Sequence, residues 1–484
     1  MKQSVCALLL MSAALVLSAC GSGSSPAVSP NQAALEQLQA GPPVISLAPP
    51  QGATLNQPYT FTFTATQGTL PITFSATGTL PPGLHPVTSA GVLAGTPTAT
   101  GTFPIVVRAV NGVGESVTQN FTVQVFQHGF RISGAMIDSV GDHTATLLTT
   151  GQVLVAGGFD ASSANDGPTT SAELFDPMTQ TFVAAGNMHT GRVFHTATLL
   201  CDTSATTCSN PRVLVAGGET GSTGVAAGQP GAASVLQTAE LFDPVTGTFA
   251  SVGSLLAPRE RHTATLLSNG EVLIAGGSNL IQLAPPSLPA GAEIFHPASA
   301  TFTATGSLNV PRDFHTATLL KNGKVLIAGG VGNNGIIGDA ELYDPATGLF
   351  TFTGYMVNAR YLHTATMLTS GKVLIVGGEG TGAGAGGVAA AEIYDPDTGT
   401  FTATGTLVAP PLSFASAASV LLPDGTVLNV GGVYAELYDP TTGTFSETGG
   451  LQSAGAGAAM TALGKNSQAL ALVTGEAEGA ELYQ

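Results

Sequence analysis

Five histidines share one register of a recurring pattern: His143, His195, His262, His315 and His363, each followed by Thr-Ala-Thr. Imidazole ligates metals and moves protons near neutral pH, so a repeated histidine is where chemistry would first be sought. A second column is acidic, with Ala-Glu recurring at Glu173, Glu240, Glu293, Glu341, Glu392, Glu436 and Glu481. A third is basic: Arg192, Arg259, Arg312 and Arg360 each stand three residues before a histidine of the first column. Equivalent residues of successive repeats spread apart, whereas a tetrahedral metal site needs its ligands about 2 Å from one ion. Seven equivalent glutamates do not make seven catalytic centres. A glutamate in an apolar strand needs a partner, and the arginine, the histidine or the nearby threonine hydroxyls can supply it. All three columns are read as a repeated structural lock, with no catalytic residue, no metal and no cofactor.

The elements that carry these columns are strands. In the copy beginning at His315, alternate threonines suit a strand, and Asn322-Gly323 marks a hairpin in which both residues tolerate positive φ. Val325 to Ala328 is apolar without alternation, as in a strand covered on both faces. Gly329-Gly330 marks a sharp turn or a close backbone approach. Ala340 to Tyr343 is a third strand, Asp344-Pro345 with Thr347-Gly348 a second turn, and Phe350 to Thr353 a fourth strand. Four such strands cannot bury both faces alone, so the copies must stack. The copies predict seven stacked units, the last of which lacks its fourth strand before Gln484. Phe130 to Met136 matches the missing strand in outline, and its pairing there would join the two ends.

A diglycine after four apolar residues, then a spaced aromatic pair such as Tyr343 and Phe350, resembles the kelch repeat. The resemblance covers nearly three-quarters of the chain, with Phe where that pattern often has Trp; the chain has no Trp. It implies an all-β, seven-bladed kelch-type β-propeller over residues 128–484, closed by an N-terminal strand at 130–136.

Residues 1–19 read as a lipoprotein signal peptide: Lys2, an apolar run from Val5 to Leu17 too short for a comfortable membrane span, then Leu-Ser-Ala-Cys. The last four resemble a bacterial lipobox, which implies acylation of Cys20 and a lipid anchor in the membrane. Gly21 after the cysteine points to the outer membrane of the cell envelope, periplasmic or surface-facing. Residues 20–41 are a Gly/Ser/Pro-rich tether. Residues 42–127 alternate in short strands between Gly/Pro/Asn turns. Leu80-Pro81-Pro82-Gly83-Leu84 and the run from Gly91 to Pro97 resemble bacterial Ig-like modules, which implies a β-sandwich. Net charge is −17, which excludes the counterion displacement that nucleic-acid binding requires. In an oxidising compartment Cys201 and Cys208 are expected to pair.

Function is sought in the loops. Loops between second and third strands vary widely in length, and variable loops on a rigid frame carry specificity. The residues preceding each histidine open on the same face. Asp142, Phe194, Arg261 and Phe314, together with Glu219, Glu379 and Tyr434, are the candidate ligand-binding residues. The expected role is a membrane-tethered binding or adhesion protein for a glycan or protein ligand. The kelch resemblance offers a second role, a periplasmic sugar-modifying enzyme of the mutarotase type. Copper radical oxidases of that class need a Cys–Tyr cross-link, and the only cysteines in the repeat region lie on the short-loop side. Replacing Cys20 with Ala should move the protein out of the membrane fraction and abolish fatty-acid labelling; a labelled variant would refute the lipobox.

Overall fold

The structure is a computed structural model. It describes residues 42–484 apart from 47–49, 51, 67, 115, 139, 161–166, 202–207, 209, 222–232, 280–287, 289, 381–386, 409–417, 452–458, 464–469 and 476–479. The signal segment, Cys20 and the tether up to residue 41 lie outside the described residues. Every regular element among the described residues is a β-strand.

The first unit is a small two-sheet structure. Ser116–Phe126 buries Phe121, Val123 and Val125 on one face and turns polar residues outward, the period-two pattern of a half-buried strand. It pairs along its length with Gly101–Val110, with Thr73–Gly78 beyond and Ala53–Thr54 on the other side. A second sheet pairs Tyr59–Thr62 with Val92–Gly95. Tyr59, Phe63, Leu93, Ile105 and Val107 join the buried faces in one core.

The remainder contains, among the described residues, seven four-stranded antiparallel sheets and four two-stranded ribbons; the seven are numbered here in chain order: one (144–184), two (196–251), three (263–307), four (316–355), five (364–406), six (418–447) and seven (459–483). In sheet four the strands are Thr316–Leu319, Val325–Ala328, Asp339–Asp344 and Leu349–Tyr355. The first strand of each sheet lies against the first strand of the next, and that of sheet seven lies against that of sheet one. Second strands are buried throughout, which is why their sequences do not alternate.

The hydrophobic cores lie between sheets. Leu267, Leu273 and Ala275 of sheet three share one cluster with Val325, Ile327, Tyr343 and Phe350 of sheet four. Val153 and Phe175 of sheet one share another with Leu472 and Leu482 of sheet seven. Each third strand stacks an aromatic ring on its fourth strand, as in Tyr343 on Phe350 at 4.8 Å and Tyr394 on Phe401 at 4.8 Å. Sheet seven obtains its pair from elsewhere: Tyr483 stacks at 5.2 Å on Phe130. Phe130–Ile132 pairs antiparallel with Glu481–Tyr483 as the outer strand of sheet seven.

Two local expectations need correction. The outer strand of sheet seven is three residues long, not the seven of 130–136. Beyond it Ser133 N–H donates to Ala480 O, but Gly134 N–H donates to Gln180 O of sheet one, so the chain has already crossed to its next neighbour. The hairpin at Asn322-Gly323 has only Gly323 in the left-handed region, at φ 82°. Asn322 instead caps the turn, its Oδ1 accepting from Lys324 N–H at 3.1 Å. Cys201 and Cys208 are joined by a disulfide between the first two strands of sheet two.

Deleting residues 1–137 should strip the outer strand from Glu481–Tyr483, lower the melting temperature and cause aggregation on a sizing column. Deleting only 1–127 should do neither; equal behaviour of the two truncations would mean that this pairing does not hold the ends together.

Candidate functional site

The three repeated columns resolve into two separate locks. Each histidine of the first column is buried and bonds a threonine hydroxyl of a neighbouring sheet through Nε2. His195 reaches Thr144 at 3.1 Å, His262 reaches Thr196 at 2.9 Å, His315 reaches Thr263 at 3.0 Å, His363 reaches Thr316 at 2.9 Å, and His143 reaches Thr474 of sheet seven at 2.7 Å. Burial drives their pKa values down, to about 4 for His143 and about 3 for His195, His315 and His363, and His262 also falls well below its ordinary value. They are neutral at any physiological pH and are occupied as hydrogen-bonding spacers.

The second lock is ionic. Arg192–Glu240, Arg259–Glu293, Arg312–Glu341 and Arg360–Glu392 are buried pairs at 2.8, 2.6, 2.9 and 2.7 Å. Each arginine also donates to the carbonyl of the first glycine of its diglycine, for example Arg312 to Gly329 O at 2.9 Å. Gly329 and Gly330 have φ of 60° and 103°, and a Cβ on Gly330 would press against the Asp313 carbonyl. The second carboxylate oxygen accepts backbone N–H groups of the segment arriving from the preceding sheet: Leu256 to Glu293 at 2.7 Å, Asn309 to Glu341 at 2.8 Å, Val357 to Glu392 at 2.7 Å. The glutamates therefore bind arginine and connecting backbone, not the histidine or the first-strand threonines. Glu173 accepts the backbone N–H groups of Ile137 and Asp138, and Glu436 accepts that of Val408. Burial raises the Glu173 carboxyl above its ordinary value. Glu481 is buried on its strand.

One level above the histidines the repeat is used differently. Asp142, Phe194, Arg261, Phe314 and Leu362, each directly before a histidine, all take positive φ between 51° and 56°. For bulky side chains this is an unusual conformation. The residues just before them pair with the residue after a diglycine: Gly141 with Phe159, Val193 with Glu219, Glu260 with Ser278, Asp313 with Val331, and Tyr361 with Glu379. These bridges bring side chains from five sheets to one end of the stack.

Arg261 is the centre. Its guanidinium lies 4.2 Å from the Phe194 ring centroid and 5.0 Å from that of Phe314, so rings from sheets two and four flank it. Its N–H donates to Phe194 O at 3.0 Å, and Nη1 reaches Glu260 Oε1 at 2.6 Å. Glu260 is fully buried, its other oxygen has no hydrogen-bond partner among the described residues, and the Glu219 carboxyl is a near neighbour. Burial pushes Glu260 up to about 8, with Glu219 and Asp313 adding to the rise and Arg261 opposing it. An ion pair with Arg261 and a raised pKa pull in opposite directions. Burial dominates here, and a protonated Glu260 still accepts from Arg261 through its carbonyl oxygen. Burial lifts Asp313 to about 6 and raises Asp142, against the nearby Arg261 in both cases. Phe314 meets Tyr361 edge-on at 6.0 Å, and the Tyr361 hydroxyl donates to Glu379.

Of the candidate residues, Asp142, Phe194, Glu219, Arg261 and Phe314 are thus joined through Arg261, and Glu379 is linked to them through Tyr361. Tyr434 is not. Only Gly432 and Val433 separate the second and third strands of sheet six, Val427–Gly431 and Tyr434–Asp439, and Tyr434 lines a cleft against the first unit instead. Glu260, Asp313 and Tyr361 were missed. Their signal was available: they stand two residues before a histidine, where other copies carry Gly141 or Val193, so a polar side chain there breaks the repeat.

Among the described residues, no three His, Cys, Asp or Glu side chains are arranged to hold a metal ion. Residues 42–126 match the He_PIG family, described as "Putative Ig domain", so the first unit is an Ig-like domain. No curated protein matches the chain. Among solved structures the chain is similar in fold to a fungal alcohol oxidase of the AA5 family in complex with copper, with 16% identity, a TM-score of 0.54, and coverage of 74% of this chain and 76% of that one. Among the described residues the Nε2 of each column histidine is tied to a threonine and the two repeat-region cysteines are tied to each other, so neither set offers those atoms to a copper ion.

Between about pH 4.5 and 8 the folded chain holds a proton on Glu260 that the unfolded chain releases, so stability falls as pH rises through that window. Glu260→Gln should flatten the decline, leaving a melting temperature about 2–4 °C less sensitive to pH than that of the parent. Identical slopes would remove the buried proton.

Proposed function

We propose that the seven sheets form a closed seven-bladed propeller of the kelch type on an Ig-like spacer, and that the chain is a lipid-anchored binding protein of the cell envelope. The propeller reading is supported by the contact of sheet seven with sheet one, the His143–Thr474 bond between them, and the aromatic pair that Phe130 completes. The likeness in fold to a copper alcohol oxidase supports it too, since that class was set beside the repeat on sequence. The Leu-Ser-Ala-Cys run supports the anchor.

The ligand is a glycan or a protein surface held at the Arg261 end. One observation carries this. The framework histidines and arginines are consumed by inter-strand bonds, whereas the level above them gathers Asp142, Glu219, Glu260, Arg261, Asp313 and Tyr361 from five sheets around a guanidinium that is one-quarter exposed. Glu260 with its proton can donate as well as accept, and ionised carboxylates accept, which together suits hydroxyl groups. A second reading, a sugar-modifying enzyme of the mutarotase type, is favoured by Glu260, an acid that still holds its proton near neutral pH beside a second carboxyl.

A glycan array and a pull-down from envelope extract should each identify a ligand whose affinity falls at least about tenfold in Arg261→Ala, the loss of a charge-assisted hydrogen bond. Undiminished binding by the variant would move the site elsewhere. Accelerated exchange of sugar anomers, followed by NMR and abolished in Glu260→Gln, would select the second reading.

A further inference from the structure

A second concavity lies away from Arg261, where the Ig-like domain meets sheet six. It has a volume of about 640 Å³. Small-ligand sites fall at about 300–1,000 Å³ and occur preferentially between domains. One wall is the outward face of Ser116–Phe126, which carries Asn120 and Gln124, with Gln119 at the same wall. The facing wall carries Tyr434 and Glu447. These two are close enough for the carboxylate to add to the rise that burial gives the Tyr434 hydroxyl. Tyr434 also reaches the domain opposite, where its nearness adds to the upward push that burial exerts on Tyr59.

The walls are fixed relative to each other. Gly450 N–H donates to Gly52 O at 2.9 Å across the junction, Gly449 N–H donates to His128 O at 3.1 Å, and Thr448 Oγ1 bonds the same carbonyl at 3.1 Å. A Cβ on Gly449 would lie 2.9 Å from Gly129 Cα, so the backbones meet too closely for any larger residue. The cleft is preformed, and a ligand need not order it.

We infer that this junction cleft is a saccharide-binding site, distinct from the Arg261 end and lined by Gln119, Asn120, Gln124, Tyr434 and Glu447. The lining residues include no cation, so a phosphate or carboxylate ligand would meet only the Glu447 charge. Amide side chains donate and accept at once and match sugar hydroxyls. The Tyr434 ring, Val106 and Val408 supply apolar surface for the C–H face of a pyranose. Peptide binding by strand addition needs an unpaired edge. Gly101–Val110 is paired on both sides, whereas Ser116–Phe126 is paired along its length with Gly101–Val110 and on its other side with Ala53–Thr54 only at Val125 and Phe126, so a peptide along that edge is the alternative that the decapeptide arm of the test addresses.

The test is titration calorimetry of the full chain with cellotetraose, maltotetraose and chitotetraose. At least one should bind, Gln124→Ala and Tyr434→Ala should each weaken it about tenfold or more, and Tyr434→Phe should largely restore it. Gln124 lies at the surface, so its variant keeps the fold, as an unchanged thermal melt would verify. Arg261→Ala should leave this binding unchanged, which separates the cleft from the Arg261 end. The inference is overturned if all three sugars bind more weakly than about 10 mM. It is equally overturned if binding survives Gln124→Ala but is lost in Arg261→Ala, or if an uncharged decapeptide binds the cleft and the sugars do not.

Discussion

A buried guanidinium has to be paired and hydrogen-bonded, and that requirement organises the sheets of this protein. Arg192, Arg259, Arg312 and Arg360 are essentially without solvent contact. Taking a charge out of water costs several kcal/mol unless it is paired and hydrogen-bonded. Each arginine meets the demand with one glutamate, one diglycine carbonyl and the carbonyl two residues before that glutamate, and the glutamate's other oxygen then holds the segment arriving from the preceding sheet. One ion pair thus fixes three things at once: the turn after the second strand, the position of the third strand, and the connection between sheets. The diglycine, the arginine and the glutamate occur together in sheets two to five, where each supplies a partner for another.

The histidines solve a smaller problem with the same economy. A neutral imidazole spans the gap between adjacent first strands and bonds a threonine hydroxyl on the neighbour. Its burial keeps it neutral, and its neutrality makes the burial tolerable. A residue type associated with metals and proton transfer is here a spacer. One level higher, burial outweighs the pairing of Glu260 with Arg261, and that carboxyl keeps its proton near neutral pH instead. The difference between framework and candidate site lies in whether the repeat supplies a partner for each charge, not in residue type.

The Ig-like domain is more than a spacer in this arrangement. Backbone hydrogen bonds through Gly52, Gly129, Gly449 and Gly450 join it to sheet six, and the same segment leads into Phe130, whose ring completes sheet seven. Domain junction and sheet completion are therefore consecutive along the chain.

The sequence by itself determined the unit of structure. Strand type, the four-strand repeat, the aromatic pairs and the pairing of Phe130 with the last sheet follow from local patterns of period two, glycine placement and self-similarity, which depend on neighbours in the chain. The columns of histidine, arginine and glutamate were legible as a lock for the same reason. Their partners were not: the glutamates take connecting backbone and the histidines take threonines from another sheet, and these two contacts join residues 32 and 51 positions apart. The gathering of Glu219, Glu260, Asp313 and Tyr361 about Arg261 belongs to the tertiary structure, because each comes from a different copy or a different place within one. So does the place of Tyr434, whose surroundings are set by a domain more than three hundred residues earlier in the chain. Local pattern specifies which face of a strand is buried; only packing decides which side chains from separate copies share a volume too small to leave their charges solvated.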